Sequence, residues 1–480
     1  MTSTQQTAIT DIRKALHGKK IDDPIFDTFD VVHPDTAGID VGSRTHYVAV
    51  PDDRDRNSVR TFGCLTPDLT DMAAWLKQCR IRNVVMESTG VYWMPVYHVL
   101  VGAGFDVRLV DARHSRSVPG RKTDVWDARW LRKLHTYGLL ASCFLPTEEI
   151  AQVRTYWRHR ATLIASVSEH TLRMHKSLEM MNLQLHKVLS DTTGLTGMLI
   201  IRDIVAGERD PAKLVRHRQQ GLKHDESTFI KALTGNYQPE HLFTLGQALA
   251  SYDFLQQQIM QCDQELQKCL GSFTDKEPKE PHHTASRSDD STTAAVPIKL
   301  SRSKNQANFD LHSELVRITG VDLARIDGIS TLTFQTIVSE VGTDLTAFPS
   351  EKRFGSWAGL CPNNRITGGR VRSRGTRRVT NRVAQALRMA AQTLHHSKSA
   401  LGAYYRRMRA RLGAPKAITA TAYKLAKLVW RMMTYGMNYV DAGQAAYEKQ
   451  TQERTLKALV KRAGNLGYNL VATQTGVIAT

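Results

Sequence analysis

Four acidic side chains in the first third of the chain have the types and spacing of a metal-binding set. Asp40 lies inside the apolar run AGIDVG, and Glu87 ends the apolar run VVME. Asp124 and Asp127 are three residues apart in KTDVWDARWL, so a helix would place both carboxylates on one face. Carboxylate oxygens are the ligands that Mg²⁺ prefers, and a pair of such ions can activate an attacking oxygen and stabilise a leaving one. The four acids are therefore candidate catalytic and Mg²⁺-binding residues.

Three of these acids also have an ordinary structural explanation when they are taken alone. Asp124 and Asp127 could begin a helix, where the helix dipole favours acids. Asp40 could shape a turn before Gly42. Together, however, the four acids occur in the order strand, strand end and helix, which is the pattern of a ribonuclease-H-like nuclease. The conjunction favours a metal-dependent nuclease site.

The glycine turn after Asp40 admits a competing interpretation. GIDVGSRT resembles the first phosphate loop of the actin-like sugar kinases, in which a hairpin holds nucleotide phosphates through backbone amides. Such kinases need a second phosphate loop and a glycine-rich adenosine motif later in the chain, whereas residues 147–272 have helical patterns. The kinase interpretation is therefore the weaker one.

A second candidate site lies in a basic loop of the C-terminal half. Thr367 is followed by Gly368 and Gly369, and two glycines after a hydroxyl let backbone amides approach a phosphate closely. Arginines around the loop could bind a nucleic-acid strand or stabilise charge on a reacting phosphate. The candidate nucleic-acid-binding residues are Arg365, Arg370, Arg372, Arg374, Arg377, Arg378 and Arg382. The alternative is a basic surface turn that only contacts phosphates.

The 480-residue chain carries its positive charge in one segment. The net charge of the whole chain is +19, and residues 351–431 alone hold 19 Lys and Arg against one acid, Glu351. The rest of the chain is therefore nearly neutral. A cationic segment of this kind indicates a polyanionic partner, most often nucleic acid.

Composition excludes several classes of protein. No apolar run approaches the ~18–20 residues that span a bilayer, and the N-terminus has no apolar signal core. The six cysteines form no CxxC pair, which argues against a zinc ribbon or a disulfide framework and suits a reducing compartment. We therefore expect a cytoplasmic protein with no membrane partner.

Short apolar runs separated by turn residues begin at Ala37 and must position the acids. AGIDVG, HYVAVP and SVRTF predict three strands, with a tight turn at residues 42–44 between the first two. DLTDMAAWLKQC predicts a helix, RNVVMES a buried strand, residues 91–101 a helix and FDVRLVD a further strand. This order predicts an α/β domain with a mixed sheet over residues 37–146. Residues 1–36 are polar and predict a loose N-terminal arm.

From Glu148 onward the apolar residues have the seven-residue spacing of a long helix. Ten of the twelve seam positions between residues 150 and 188 are apolar, and the exceptions are Arg160 and Thr171. A second stretch repeats the spacing more weakly, which predicts a coiled-coil region over residues 147–272. The two helices could pair within one chain, or the first could form a dimer seam.

The C-terminal half begins after a polar segment. Residues 273–310 are rich in Ser, Thr, Pro and charge, and they predict a disordered linker or insertion. The turn at Asp327–Ile329 resembles that of a helix–hairpin–helix, whose amides can meet a phosphate backbone, or that of a plain helical hairpin. Two further helices are predicted over residues 381–396 and 417–439.

The motifs in this order resemble the insertion-sequence-110 family of transposases, the DEDD recombinases that a bridge RNA guides. GIDVG, MESTG and KTDVWDA carry the resemblance in the first half, and FGSWAGLCPNNRITGG and RRVTNRVAQALRMAAQTL carry it in the second. It covers most of residues 37–272 and 312–445. The resemblance implies a ribonuclease-H-like (RuvC-like) α/β domain, long coiled-coil helices and a mainly helical C-terminal transposase domain.

The resemblance also implies roles for individual residues. The family's metal-binding acids fall on Asp40, Glu87, Asp124 and Asp127. The family's catalytic serine follows Gly-Leu-x-Pro in a Ser-Gly loop, and Thr367 stands at that position. Threonine has the same hydroxyl, but its methyl group restricts χ1 and crowds the path of attack. Ser356 and Ser373 are nearby alternatives that fit the motif less well.

The expected organisation combines these observations. It comprises an N-terminal arm (1–36), a RuvC-like DEDD catalytic domain (37–146), a coiled-coil region (147–272), a linker (273–310), a C-terminal transposase domain (311–445) and a tail (446–480). The implied activity is cutting and rejoining of DNA strands at the ends of an insertion sequence and at a target. The implied cofactor is Mg²⁺, and the implied partners are DNA, a structured guide RNA and further copies of the chain in a homodimer or homotetramer. The implied location is the bacterial nucleoid.

Two other functions stay open at this point. A metal-dependent nuclease such as a Holliday-junction resolvase would use the acids alone, with water as the nucleophile. A non-catalytic nucleic-acid-binding protein would use only the basic segment.

Overall fold

The alternating apolar residues between Thr36 and Val110 form a five-stranded sheet in a computed structural model of the chain. The strands are β1 (Thr36–Val41), β2 (Thr45–Ala49), β3 (Val59–Gly63), β4 (Asn83–Glu87) and β5 (Asp106–Val110). Their order is β3-β2-β1-β4-β5, with β2 antiparallel to β1 and β3, and with β4 parallel to β1 and β5. The predicted mixed sheet is confirmed, and its arrangement is compatible with a ribonuclease-H-like fold.

The chain divides into an N-terminal unit that ends at Leu145 and a C-terminal unit that begins at Pro146. The structure describes residues 26–470, except residues 27, 89, 112–122, 278–304, 363, 369, 374, 377–379, 437–438 and 440. Most of the predicted arm, most of the predicted linker and the last ten residues of the predicted tail therefore lie outside the described residues.

Helices cover both faces of the sheet. They are α1 (Thr66–Gln78), α2 (Trp93–Gly102) and α3 (Asp124–Thr136). Ile39 and Met86 are buried on the face that α1 and α2 cover, because they belong to one apolar cluster with residues of those helices. Val85 is buried on the other face with Leu131 and Leu134 of α3. The period of two along each strand thus sends alternate residues to two separate cores.

The end of the predicted N-terminal arm is part of the core. Phe26 is fully buried, and its ring stacks on Tyr137 with the centroids 5.5 Å apart. The backbone amides of Val32 and His33 donate to the carbonyl oxygen of Thr136 at 2.8 and 2.9 Å. The expectation of a loose arm is wrong for this part of the chain, because Phe26 and Phe29, in a mostly polar segment, pack into the core.

We expect the N-terminal unit to lose stability in mild acid through His135. This side chain is 2% exposed and stacks on His33 with the ring centroids 4.6 Å apart. Burial lowers the pKa of His135 from 6.5 to about 4. Repulsion from His33 and Arg108 adds to this shift, and attraction from Asp106 opposes it. The unfolded chain binds a proton near pH 6.5 and the folded chain does not. The stability is therefore fully present above pH 6.5 and is lost as the pH falls toward about 4.

Urea unfolding of the full-length chain at several pH values between 7 and 4.5 measures this effect. One pKa unit corresponds to about 1.36 kcal/mol, so protonation of His135 should lower the free energy of unfolding by on the order of 3 kcal/mol in full. His135→Leu removes the titrating group, so its unfolding free energy should fall less steeply with acid. Equal slopes for the two proteins would contradict the assignment.

Helices and a short hairpin make up the described part of the C-terminal unit. The helices are α4 (Glu148–Met180), α5 (Leu185–Val188), α6 (Leu195–Ala206), α7 (Pro211–Leu214), α8 (Glu226–Leu233), α9 (Pro239–Gly271), α10 (Leu311–Thr319), α11 (Thr331–Val341), α12 (Glu351–Trp357), α13 (Arg382–Thr393), α14 (Ala400–Leu412), α15 (Ala414–Tyr435) and α16 (Gly443–Asn465). The hairpin strands are β6 (Arg365–Thr367) and β7 (Arg370–Ser373).

The two long helices, α4 and α9, pack against each other in opposite directions. Near one end, Cys262 Sγ lies 3.3 Å from the carbonyl oxygen of Tyr156, and near the other, Ser177 Oγ lies 2.9 Å from Thr244 Oγ1. The apolar seam residues of α4 are buried within the chain. Of the two pairings that the sequence permits, the structure has the intrachain one.

The seam does not continue to residue 188 as one helix. α4 ends at Met180, Asn182 adopts a left-handed φ of 54°, and α5 begins at Leu185. The turn is held from outside, because Asn236 N donates to the Met181 carbonyl oxygen at 3.0 Å. The seven-residue spacing continues through the turn because Met181 and Leu185 still face the same core.

A buried ion pair replaces the apolar contact at Arg160, one of the exceptions in the seam. Arg160 and Asp263 of α9 are each 2% exposed in their side chains, and Nε lies 2.5 Å from Oδ1. The guanidinium also donates to the carbonyl oxygens of Asn305 and Gln306 at 3.0 and 3.1 Å. The pair therefore joins α4, α9 and the chain that leads to α10.

The helices predicted near the basic loop are present with shifted ends. Asn381 caps α13 by accepting from Ala384 N at 3.0 Å, and a 3-10 turn at Leu394–His396 completes the predicted length. α15 ends before residue 439 because Gly436 takes a left-handed φ of 66°. The turn at Asp327–Ile329 follows a 3-10 turn and packs against α13, which favours the plain structural interpretation.

Candidate active site

Asp40 and Glu87 lie at the carboxyl ends of two adjacent parallel strands. In the register of β1 and β4, Gly38 is paired with Val85, so Asp40 and Glu87, two residues further on, are opposite each other on the same face. Both acids are half-buried. The two strands therefore bring these carboxylates to one edge of the sheet.

Helix α3 crosses this same face of the sheet. A Cβ atom at Gly38 would overlap the carbonyl oxygen of Ala128, so the helix is in direct contact with β1. The C-terminal residue of α3, Thr136, accepts hydrogen bonds from the segment just before β1. The N-terminal end of α3 therefore lies toward the carboxyl end of β1, where Asp40 is.

Asp124 and Asp127 occupy the first turn of α3. Thr123 caps the helix and accepts from Trp126 N at 3.3 Å. Asp124 is exposed and Asp127 is half-buried. The helix start would favour acids in any protein, but the orientation of α3 directs this turn toward the edge that carries Asp40. The four predicted acids thus come from three elements that meet at one edge of the sheet.

The four acids share this edge without forming a compact cluster. Among the described residues, no three side chains of His, Cys, Asp or Glu stand close enough together to form a metal site. The donor set still has the chemistry that a divalent cation requires, because carboxylate oxygens are hard ligands and none of the four acids is sealed in a core.

Two residues that the sequence analysis did not single out hold this edge in place. Gly38 permits the close contact of α3 with β1. Ser88 donates its backbone N–H and its hydroxyl to the carbonyl oxygen of Val110 at 3.0 and 3.2 Å, which fixes the chain next to Glu87. A glycine inside a strand often marks such a close approach, so Gly38 carried a usable signal.

Thr367 lies at the tip of the hairpin of β6 and β7. Thr367 is paired with Arg370, so the turn has two residues, and Gly368 has a φ of 56°. Turns of this length need positive φ values, which glycine adopts without strain. Thr367 is exposed. The Gly-Gly sequence therefore presents a hydroxyl on a short, basic projection of the C-terminal unit.

The structure describes some of the predicted nucleic-acid-binding arginines and not others. Those with exposed side chains are Arg370, Arg372 and Arg382. Those outside the described residues are Arg374, Arg377 and Arg378, as is Gly369. Arg365 and Ser373 lie in β6 and β7, and Ser356 lies half-buried in α12. The hairpin thus brings Thr367 together with Arg370, and half-burial makes Ser356 a poorer nucleophile candidate.

The single acid of the basic segment is neutralised inside it. Glu351 forms ion pairs with Lys427 at 3.1 Å and with Arg431 at 2.5 Å. Burial raises the pKa of Glu351, but the hydrogen bonds from Arg431 and Lys427 outweigh it and hold the pKa below the ordinary value. Arg406 also serves the fold, since it donates to the carbonyl oxygen of Ser397 at 2.6 Å. Part of the charge is thus structural.

None of the helices in the described ranges combines the length and the apolarity that crossing a membrane requires. Residues 147–272, where a sugar kinase would need its second phosphate loop, consist of helices and short turns.

Two family models match the chain. Residues 37–182 match the DEDD model of IS110 elements, described as a transposase, and residues 322–406 match the model described as the transposase IS116/IS110/IS902 family. The first match contains the four acids and the second contains Thr367. No curated protein matches the chain.

Proposed function

Because the chain belongs to the IS110 family of transposases and is therefore a DNA transposase or recombinase, we propose that it cuts and rejoins DNA at the ends of its own insertion sequence. The single observation that most supports this proposal is the common sheet edge of Asp40, Glu87 and the first turn of α3. A second support is the exposed hydroxyl of Thr367 on a basic hairpin.

The four acids are the residues that would hold divalent metal, which we propose to be Mg²⁺. When bound, such ions lower the pKa of an attacking hydroxyl and stabilise the departing oxygen. Asp40 and Glu87 lie in hydrogen-bonded strands, so the backbone positions from which their carboxylates extend are fixed. Asp124 and Asp127 depend on the contact of α3 with Gly38 for their position.

Thr367 is the proposed nucleophile. Its Oγ would attack the scissile phosphorus, lose its proton and form a phosphodiester with the DNA, while the strand leaves as a free hydroxyl. Arg370, its partner across the hairpin, could stabilise the negative charge of the pentavalent phosphate. Rejoining would reverse this step with the hydroxyl of another strand, so the number of phosphodiesters is conserved.

Thr367→Ala should abolish the protein–DNA adduct and strand transfer, because it removes the hydroxyl that the hairpin tip exposes. Thr367→Ser should retain both activities at a similar or higher rate, since serine keeps the hydroxyl and removes the methyl group. The measurement is recombination of a plasmid that carries the element ends, with denaturing gels for the adduct.

The same pair of variants separates the transposase from a resolvase. A resolvase uses water as its nucleophile, so Thr367→Ala would retain full strand cleavage and leave ends without bound protein. That result would overturn the proposed role of Thr367. A non-catalytic binding protein would be unaffected in every assay by Asp40→Ala.

Binding of duplex DNA should weaken steeply with salt. Each phosphate that Lys or Arg neutralises releases counterions, which gives a slope of about 0.9 log units of affinity per log unit of salt per contact. Arg372 is exposed on β7, and Arg372→Ala should remove about one phosphate contact. The salt slope should then become shallower by about 0.9. The measurement is fluorescence anisotropy at several salt concentrations, and a slope near zero for the unaltered protein would contradict phosphate binding by this segment.

We further propose that a structured guide RNA and a homodimer or homotetramer take part. Support for the RNA comes from the family and from a basic segment able to bind either nucleic acid. Sequencing of RNA that co-purifies with the protein should find one dominant structured species. Because α9 covers much of the apolar seam of α4 within the chain, we propose that the copies meet through other surfaces.

A further inference from the structure

A groove in the C-terminal unit lies between α4, α11 and α13, and its described lining residues do not include those of the hairpin that carries Thr367. Its volume is about 330 Å³. The walls are mostly apolar, formed by the side chains of Ile164, Leu332, Ala386 and Met389 and by the edge of Trp157. Met389 is 60% exposed, so much of its apolar side chain is accessible to an occupant of the groove.

Three polar side chains at the floor of the groove, those of Trp157, Thr336 and Arg160, already have hydrogen-bond partners. Trp157 Nε1 donates to Thr336 Oγ1 at 3.1 Å, and Thr336 Oγ1 donates to the carbonyl oxygen of Leu332 at 2.8 Å. The guanidinium of Arg160 is bonded to Asp263 and to two carbonyl oxygens. The floor therefore offers an occupant apolar contact rather than hydrogen bonds.

The rim of the groove has the opposite character. Arg382 and Gln385 are exposed and three residues apart, so they lie on one face of α13 together with Ala386 and Met389. Within the part of the chain that the structure describes, neither side chain has a hydrogen-bond partner. Arg382 offers only donors, whereas the amide of Gln385 offers both donors and an acceptor.

We propose that this groove binds the base of an unpaired nucleotide, an inference that rests on the proposed action on DNA. A base has two apolar faces and a polar edge, which match the apolar walls and the exposed amide and guanidinium at the rim. Its phosphate carries a negative charge, which matches a segment with 19 basic residues and one acid. An apolar protein partner would leave Arg382 and Gln385 buried without partners, which is costly.

The groove selects single-stranded or extruded nucleotides over duplex. The bases of a duplex are stacked and paired, so they can reach an apolar groove only after they leave the stack. A base held here would keep one strand separated from its complement, which a strand-exchange reaction requires. The groove thus acts as a holding site for an unpaired strand.

Filling the groove tests this inference without changing charge. Ala386→Leu adds three carbon atoms to the wall, and Gln392→Leu is its matched control, because residue 392 is exposed on the same helix and does not line the groove. The probes are a labelled mixed-sequence single-stranded oligonucleotide and inorganic polyphosphate, which has charge but no bases. Ala386→Leu should weaken oligonucleotide binding about tenfold or more, the scale of one lost base-stacking contact, and should leave polyphosphate binding unchanged. Gln392→Leu should change neither.

A second variant keeps the test independent of packing. Gln385→Ala removes an exposed amide and leaves the groove walls unchanged, and it should weaken oligonucleotide binding several-fold while sparing polyphosphate binding. Unchanged oligonucleotide binding in both variants would overturn the inference, as would an equal loss for both probes. If the unaltered protein bound neither probe, the proposed function itself would fail, which is a separate result.

Discussion

Asp40→Asn is expected to abolish DNA strand cleavage, with a loss of about 10³-fold or more. The substitution keeps the size of the side chain but removes the negative charge, and a metal ion contributes several kcal/mol to charge stabilisation at a reacting phosphate. Asp40 is half-buried at the end of β1, so an amide of the same shape should leave the sheet intact. Cleavage of a plasmid that carries the element ends, in Mg²⁺, measures the rate.

The other three acids should behave in the same direction. Glu87→Gln and Asp124→Asn each remove one proposed ligand from the same edge of the sheet. Asp71→Asn is the matched control, because residue 71 is exposed on α1, which covers the opposite face. The control should retain its rate within about twofold. If Glu87→Gln and Asp124→Asn both retained full recombination, the proposed metal site would be wrong.

Asp263→Ala is expected to lower the free energy of unfolding by about 3–5 kcal/mol. The change leaves the Arg160 guanidinium buried at the interface of α4 and α9 without its counter-charge, and breaking a buried pair in this way is strongly destabilising. Asn308 also loses a bond, because its backbone N–H donates to Asp263 Oδ2 at 3.1 Å. Urea unfolding followed by circular dichroism measures the effect.

Two comparisons separate the lost pairing from a general effect of mutation. The double variant Arg160→Met with Asp263→Leu removes both charges and should be much closer to the unaltered protein than Asp263→Ala alone. Asp253→Ala breaks the ion pair of Arg202 and Asp253, whose nitrogen and oxygen lie 2.6 Å apart and whose side chains are partly exposed. This change should lower the free energy of unfolding by about 1 kcal/mol or less. A cost for Asp263→Ala as small as that of Asp253→Ala would contradict the account of the buried pair.

The first half of the candidate site was predictable because it depends on local patterns. A parallel sheet places the carboxyl ends of adjacent strands at one edge, so the strand positions of Asp40 and Glu87 are sufficient to bring them together. The orientation of α3 was not predictable in this way. It depends on the contact of Gly38 with the helix and on bonds from the segment before β1 to Thr136, which are tertiary interactions.

For the long helices α4 and α9, the sequence pattern predicts burial but not the packing partner. Seven-residue spacing identifies an apolar stripe on α4 but not the surface that covers it, and α9 of the same chain covers it here. The spacing also passes through the turn at Asn182 without a break, because residues beyond the turn face the same core. Periodicity therefore predicts burial better than it predicts helix length or partner.

For the hairpin that carries Thr367, the turn was predictable from the sequence, but the chemical role of the threonine was not. The pair of glycines predicts a turn, and the structure has a two-residue turn there. Neither the pattern nor the fold distinguishes a nucleophilic threonine from a phosphate-binding one, because both need an exposed hydroxyl among arginines. Chemistry at this position has to be observed directly.

The most direct test of the account is to map the covalent protein–DNA adduct. The full-length protein is incubated with Mg²⁺ and DNA that carries the element ends, digested with protease and nuclease, and analysed by mass spectrometry. A nucleotide attached to Thr367 is the expected result, with no such adduct from the Asp40→Asn protein. Cleaved DNA without any adduct, or an adduct at a different residue such as Ser373, would contradict it.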